Sequence, residues 1–264
     1  YMRAFNQPVS RVSLEQGEYA NTGFTQWGAS GLAAAWAEEN TRESIFNAFR
    51  RKETFATTGT RIAVRFFGGY NLSSIDLNSQ SLVSEAYEKG VTMGSDLLHN
   101  ENKIPEFLVW AQRDKNGAPL QRIQIIKGWI DNNSGRPKEK VYDVACSDGM
   151  QPDPATNRCP DNGARVNIND CSISTNVGSS ELKTVWKDPE FAPDDKTFYY
   201  VRVLENPTCR WSTWDAIKAG YKPREGLHET IQERAWSSPI WYIPEQSDVE
   251  VVPLGGTIQL RNID

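Results

Sequence analysis

Four cysteines, Cys146, Cys159, Cys171 and Cys209, crowd into one stretch rich in Asp, Asn, Pro and Gly. That clustering restricts the region to a metal knot or a loop tied by disulfides. A structural zinc site is expected to contain a tight Cys-x-x-Cys pair, whereas the closest pair here is separated by eleven residues. Two disulfides are therefore expected. Four cysteines allow three pairings, and Cys146–Cys159 with Cys171–Cys209 is favoured. The first bridge closes a short loop, and the second ties that loop to a strand end. Both imply export to an oxidising compartment, periplasmic or extracellular.

Around this loop the hydrophobic pattern reads as strands. Ile62, Val64 and Phe66 alternate with Ala63 and Arg65 after the turn at Thr57 to Thr60, which predicts a strand over 61–67. Further strands are predicted over 107–112, 120–131, 141–147, 182–187, 198–205 and 239–243. Turn segments such as Asp114 to Gly117 and Asn132 to Gly135 separate them. Short strands at this spacing suggest a β-sandwich of immunoglobulin-like type. Three helices interrupt the pattern. The first is expected to start at Asn40, with Glu43 reaching back as a capping partner, and to end near Lys52 with Ile45, Phe46 and Phe49 on one apolar face. The others are expected over 79–89 and 213–219, the last capped by Ser212 or Thr213 and stopped by Gly220. Residues 1–35 show no clear period and read as an irregular lead-in.

The chain of 264 residues carries a formal charge of −5 and a pI near 5.3, with no concentrated basic face. Nucleic-acid partners are therefore not expected. The basic run Arg50-Arg51-Lys52 falls at a predicted helix end, where cations complement the helix dipole. No run approaches the about 18 apolar residues of a membrane span. With no initiator Met or leader before Tyr1, the chain is expected to be a mature or partial product of a longer protein.

The run from Gly31 to Gly69 contains Trp36-Ala-Glu-Glu-Asn-Thr-Arg-Glu43 and Arg51-Lys-Glu-Thr-Phe-Ala-Thr-Thr-Gly59, and it resembles the DUF3604 signature. The likeness continues through Pro119 to Trp129, Val141 to Gly149, Tyr200 to Trp214 and Thr230 to Tyr242. It implies a relationship to PHP-type metallohydrolases, including the carbaryl-hydrolase-like group, whose α/β barrel ends in a helix followed by a segment like 51–59. On that resemblance the expected architecture is mainly β with a few helices. Residues 1–60 would form the lead-in and last helix of a PHP-like barrel otherwise absent from the chain, and residues 61–264 a disulfide-bearing sandwich. The resemblance places divalent metal ions in the barrel of the full-length protein, held by His-x-His and Asp-His motifs. This chain has only His99 and His228, each isolated, so no catalytic residue transfers and no cofactor is expected within it.

Several residues remain as candidates. Glu38, Glu39, Asn40, Arg42 and Thr58 would lie near the rim of the barrel's site, although helix capping for the first three, and a solvated arginine and a turn threonine for the others, are the favoured readings. Asp148, Asp153, Asp161 and Asp170 supply carboxylates to the cysteine loop that could hold calcium, but their spacing fits no EF-hand, and a pinned loop needs the same residues to turn. Nine tryptophans are many for this length. Those in predicted strands, Trp110, Trp129, Trp186 and Trp241, are expected mostly to pack, though exposed rings can stack on sugars. No Gly-x-Ser-x-Gly elbow is present.

Two readings follow. In the first, the chain is the structural or substrate-proximal region of an exported metal-dependent hydrolase acting on phosphoesters or other esters, and its partner is the absent barrel region or a neighbouring subunit. In the second, it is a non-enzymatic secreted module whose sandwich binds a glycan or a protein.

Overall fold

The computed structural model describes residues 28–245, except 102, 132, 133, 221 and 224, and the backbone of the strands Arg11–Leu14, Gly17–Ala20, Val249–Leu254 and Thr257–Asn262. The rest of the expected lead-in and the middle of the 132–135 turn lie outside the described residues. The chain is mainly β, with three α-helices among the described residues.

In chain order the elements are β1 (Arg11–Leu14), β2 (Gly17–Ala20), β3 (Leu32–Ala35), α1 (Arg42–Arg50), β4 (Thr54–Thr57), β5 (Ala63–Gly69), α2 (Leu82–Lys89), β6 (Gly90–Thr92), β7 (Asp96–Leu98) and β8 (Glu106–Gln112). They continue with β9 (Leu120–Ile130), β10 (Pro137–Cys146), β11 (Glu181–Lys187), β12 (Thr197–Glu205), β13 (Thr208–Cys209), α3 (Trp211–Lys218), β14 (Thr230–Ile231), β15 (Arg234–Ser237) and β16 (Ile240–Ile243). The larger open sheet runs β10-β9-β12-β15-β4-β3, and β16 pairs with both β12 and β7. The smaller runs β11-β8-β5-β6.

One core joins the two sheets. Val64, Phe66, Phe107 and Val109 from the small sheet meet Ile123, Ile125, Tyr199 and Val201 from the large one, all fully buried. The alternation read in the sequence produces this arrangement, because every second residue of a strand points to the same face. Lys127 and Asp188 are exceptions, a charged pair inside the same layer.

The predicted strands recur within one to four residues at their ends. The segment 1–35, expected to be irregular, instead holds the antiparallel pair β1 and β2 and the strand Leu32–Ala35, which pairs with β4, itself paired with β15. Four residues of Leu and Ala have no strand propensity of their own, and only pairing with distant partners makes them extended. The third helix begins directly after Arg210, so Ser212 and Thr213 lie buried in its first turn rather than capping it. Gly220, at φ 73°, follows its end as expected.

Both disulfides form as favoured, Cys146 with Cys159 and Cys171 with Cys209. The loop they tie lies on the large sheet. Asp143 of β10 accepts from the Cys159 amide at 2.7 Å and from Gln124 of β9 at 2.6 Å. Gln124 alternates with the core residues Ile123 and Ile125, so the loop covers the outward side of that sheet near the end where β10 finishes.

Candidate functional site

The segment from Trp36 to Arg65 carries the strongest family-like pattern, and its residues converge. The amide of Trp36 donates to the Glu53 carbonyl at 3.0 Å, extending the β3–β4 ladder by one step. Between them α1 is capped one residue later than expected. Thr41 adopts an extended conformation and accepts from the Ser44 amide at 3.2 Å, while the Ser44 hydroxyl accepts from the Glu39 amide at 3.1 Å. Asn40 therefore stands outside the cap. Glu43 occupies the second helical position and not the third, from which a capping side chain reaches back.

At the other end the Lys52 amide donates to the Phe49 carbonyl and the Glu53 amide to the Ala48 carbonyl, with Lys52 left-handed at φ 58°. This is a Schellman termination formed without glycine. The space comes from Gly94, where a Cβ would lie 2.3 Å from the Lys52 carbonyl oxygen.

Glu53 emerges from that termination with its side chain only 4% exposed. Its carboxylate accepts from Arg51 at 3.4 Å, from the Thr92 hydroxyl at 3.1 Å and from the Tyr87 hydroxyl. Tyr87 in turn accepts from Arg65 at 3.1 Å, and the Arg65 guanidinium lies 3.7 Å from the Trp36 ring centre. Arg51 also pairs with Glu38 at 2.9 Å. Burial raises the pKa of Tyr87, and the Glu53 carboxylate raises it further against Arg65, so the phenol stays protonated as a donor. Glu38 is held below its usual range by its own backbone N–H and the Ser44 hydroxyl. The arrangement ties the segments flanking α1, through Glu38, Arg51 and Glu53, to α2 and to β5 and β6 of the small sheet. Because its carboxylate is occupied, it is a positioning device and not an acid–base centre.

The clamp presents one face of α1 outward. Ala48 is buried, but Ile45, Phe46 and Phe49 are 37%, 59% and 53% exposed. Among the described residues, the sandwich is thus not what covers this face. Glu39, Asn40 and Arg42 are also exposed beside it, whereas Thr58 accepts from the Arg234 amide at 2.8 Å and helps join β4 to β15. Sequence reasoning singled out Glu38 and Thr58 but missed Glu53, Tyr87 and Arg65, whose convergence depends on tertiary pairing.

Three of the four aspartates proposed for calcium serve separate turns, Asp153 accepting from the Ala155 and Thr156 amides, Asp161 from Gly163 and Asp170 from Ser172, while Asp148 accepts from the Gly178 amide thirty residues on. These amides depress the pKa of Asp153, Asp161 and Asp170. Among the described residues no three His, Cys, Asp or Glu side chains gather where they could hold a metal ion. His99 bonds through Nδ1 to the Tyr242 hydroxyl at 2.7 Å, and that hydroxyl donates to the Pro193 carbonyl at 2.8 Å. His228 is exposed at a polar cleft bordered by Arg165, Arg210 and Arg234.

A further buried acid, Glu205, lacks such partners. Glu205 is inaccessible to solvent, and neither carboxylate oxygen has a hydrogen bond of good geometry. Burial lifts its pKa to about 7 against the Thr60 hydroxyl, with the neighbouring Glu233 charge adding to the rise.

The geometry defines a disulfide-bridged, mainly β protein with a clamped helix presenting an apolar face. Its sequence matches the family described as a protein of unknown function, DUF3604, over residues 3–244, and the chain belongs to that family. No curated protein and no solved structure matches it.

Proposed function

We propose that this chain is the non-catalytic region of an exported metal-dependent hydrolase, packing through α1 against a metal-bearing PHP-like barrel and shaping access to it. The observation that carries the reading is the exposed face of Ile45, Phe46 and Phe49 on a helix otherwise locked by the Glu53 clamp. A rigid helix with contiguous apolar side chains in water is a surface prepared for a partner. The disulfides support export, and the two sheets around one core support an immunoglobulin-like sandwich beside the barrel. In this arrangement Glu38, Glu39, Asn40 and Arg42 lie at the rim of the contact, within reach of a substrate held by the barrel.

The test compares the full-length protein with this region deleted, and with Phe46→Ser/Phe49→Ser introduced in the full chain. Bound transition metal, and esterase or phosphodiesterase activity that falls in both altered forms, support the proposal. No metal in any form would favour the non-enzymatic secreted module. Activity indifferent to both changes would remove the docking role.

A further inference from the structure

Among the described residues, the outward side of the large sheet is covered by the disulfide loop at one end and left open at the other. There, β9, β10, β12 and β16 enclose a groove of about 570 Å3. Its floor is built by pairing. Phe198 stands opposite Gly128 on one side and Trp241 on the other, and both aromatic residues alternate with core side chains, so they point outward. A Cβ at Gly128 would lie 2.3 Å from the Phe198 ring. The glycine thus lets that ring lie flat across the strand, where any other residue would push it up into the groove. Trp241 leans beside it, with ring centres 5.1 Å apart, and remains 44% exposed. The rim carries charge of both signs on that same face: Glu139, which stands opposite Gly128, and the exposed Lys196, two residues before Phe198.

Each part of this arrangement restricts the occupant. A purely apolar ligand would take two charged groups out of water without replacing their hydrogen bonds. A phosphorylated ligand needs convergent free cations, but Lys138 belongs to the other face, where it pairs with Asp131, and Glu139 repels an anion. A flat ring with an apolar face and a rim of hydroxyls satisfies both the aromatic floor and the mixed rim. We propose that this groove is a carbohydrate-binding site, in which a neutral pyranose stacks on Trp241 and Phe198 while Glu139 and Lys196 bond its hydroxyls. The site does not depend on the docking role of α1, because α1 lies by β3, at the opposite end of the sheet's strand order from β10.

The experiment titrates the 264-residue chain with cellohexaose, chitohexaose and xylohexaose, following tryptophan fluorescence and heat of binding. At least one sugar is expected to bind with millimolar or better affinity. Trp241→Ala, which removes an exposed ring, should weaken that binding about tenfold or more with an unchanged melting temperature. Glu139→Gln should weaken it several-fold. Gly128→Ala serves as the second variant, since its Cβ would displace the Phe198 ring and should likewise weaken binding. Failure of all three sugars to bind, or binding unmoved by Trp241→Ala, overturns the proposal. So does concentration-dependent self-association that Trp241→Ala alone removes, because the face would then belong to a second copy of the chain.

Discussion

The Lys127 ammonium lies 2.6 Å from the Asp188 carboxylate, with the two side chains 3% and 0% exposed. Asp188 also accepts from the Tyr199 hydroxyl at 2.7 Å, and Lys127 donates to the Glu190 carbonyl at 2.7 Å, so the pair is fully bonded at one end of the inter-sheet core. Asp188→Ala would leave the lysine charge buried without a partner. That costs about 3–5 kcal/mol, measurable as a lower urea midpoint with an unchanged slope. Lys127→Met/Asp188→Leu should recover most of the loss, since replacing both charges removes their desolvation cost. A double variant no better than Asp188→Ala would refute this account.

The two disulfides should contribute unequally. Cys146–Cys159 closes a separation of 13 residues and Cys171–Cys209 one of 38. Loop-closure entropy then gives about 3 kcal/mol for the first and about 4 kcal/mol for the second. Paired Cys→Ala variants compared by chemical denaturation should show the 171/209 pair as the larger loss. Mass spectrometry of protein from its native compartment should find no free thiol.

The strands of the core were legible because alternation survives in any half-buried strand: Ile62, Val64 and Phe66 read as inward before any partner was known, and they are. Three- and four-residue strands such as Gly90–Thr92 and Arg234–Ser237 were not legible, because too few residues exist to show a period and pairing alone defines them. Helical spacing placed Ile45, Phe46 and Phe49 on one side of α1, but periodicity says only that residues share a face and not what covers it. In the same way nothing in the sequence marks Glu53, which directly follows the basic run 50–52, as buried, and its burial follows from Tyr87 and Thr92 arriving from elsewhere. Trp241 was read among the packing tryptophans, yet its position between two inward residues of β16 turns it outward.

If catalysis belongs to the barrel, as proposed above, the chain supplied with Zn2+, Mn2+ or Fe2+ is expected to show no phosphodiesterase, phosphatase or carboxylesterase activity above background. His228→Ala should change neither activity nor stability. His99→Ala should leave activity at background but cost about 1 kcal/mol, because it removes the bond to the Tyr242 hydroxyl. Turnover that disappeared with either histidine would contradict the division of labour proposed for the full-length protein.

Glu205 should make stability depend on pH in the neutral range. Its folded pKa, raised to about 7 by burial and by the Glu233 and Asp114 charges, exceeds the ordinary carboxyl value of 4.5, so folding favours the protonated form. The stabilisation is therefore fully present below about 4.5 and is lost as pH rises through about 7, amounting to roughly 3 kcal/mol at most. Carboxylates held below their usual range, Asp114 and Glu106 among them, act oppositely at more acidic pH. The comparison is therefore made between wild type and Glu205→Gln, whose amide mimics the neutral acid. Denaturation at pH 5 should find the two similar in stability, and denaturation at pH 8.5 should find Glu205→Gln more stable. A difference that stayed constant between those pH values would show that Glu205 does not titrate within that window.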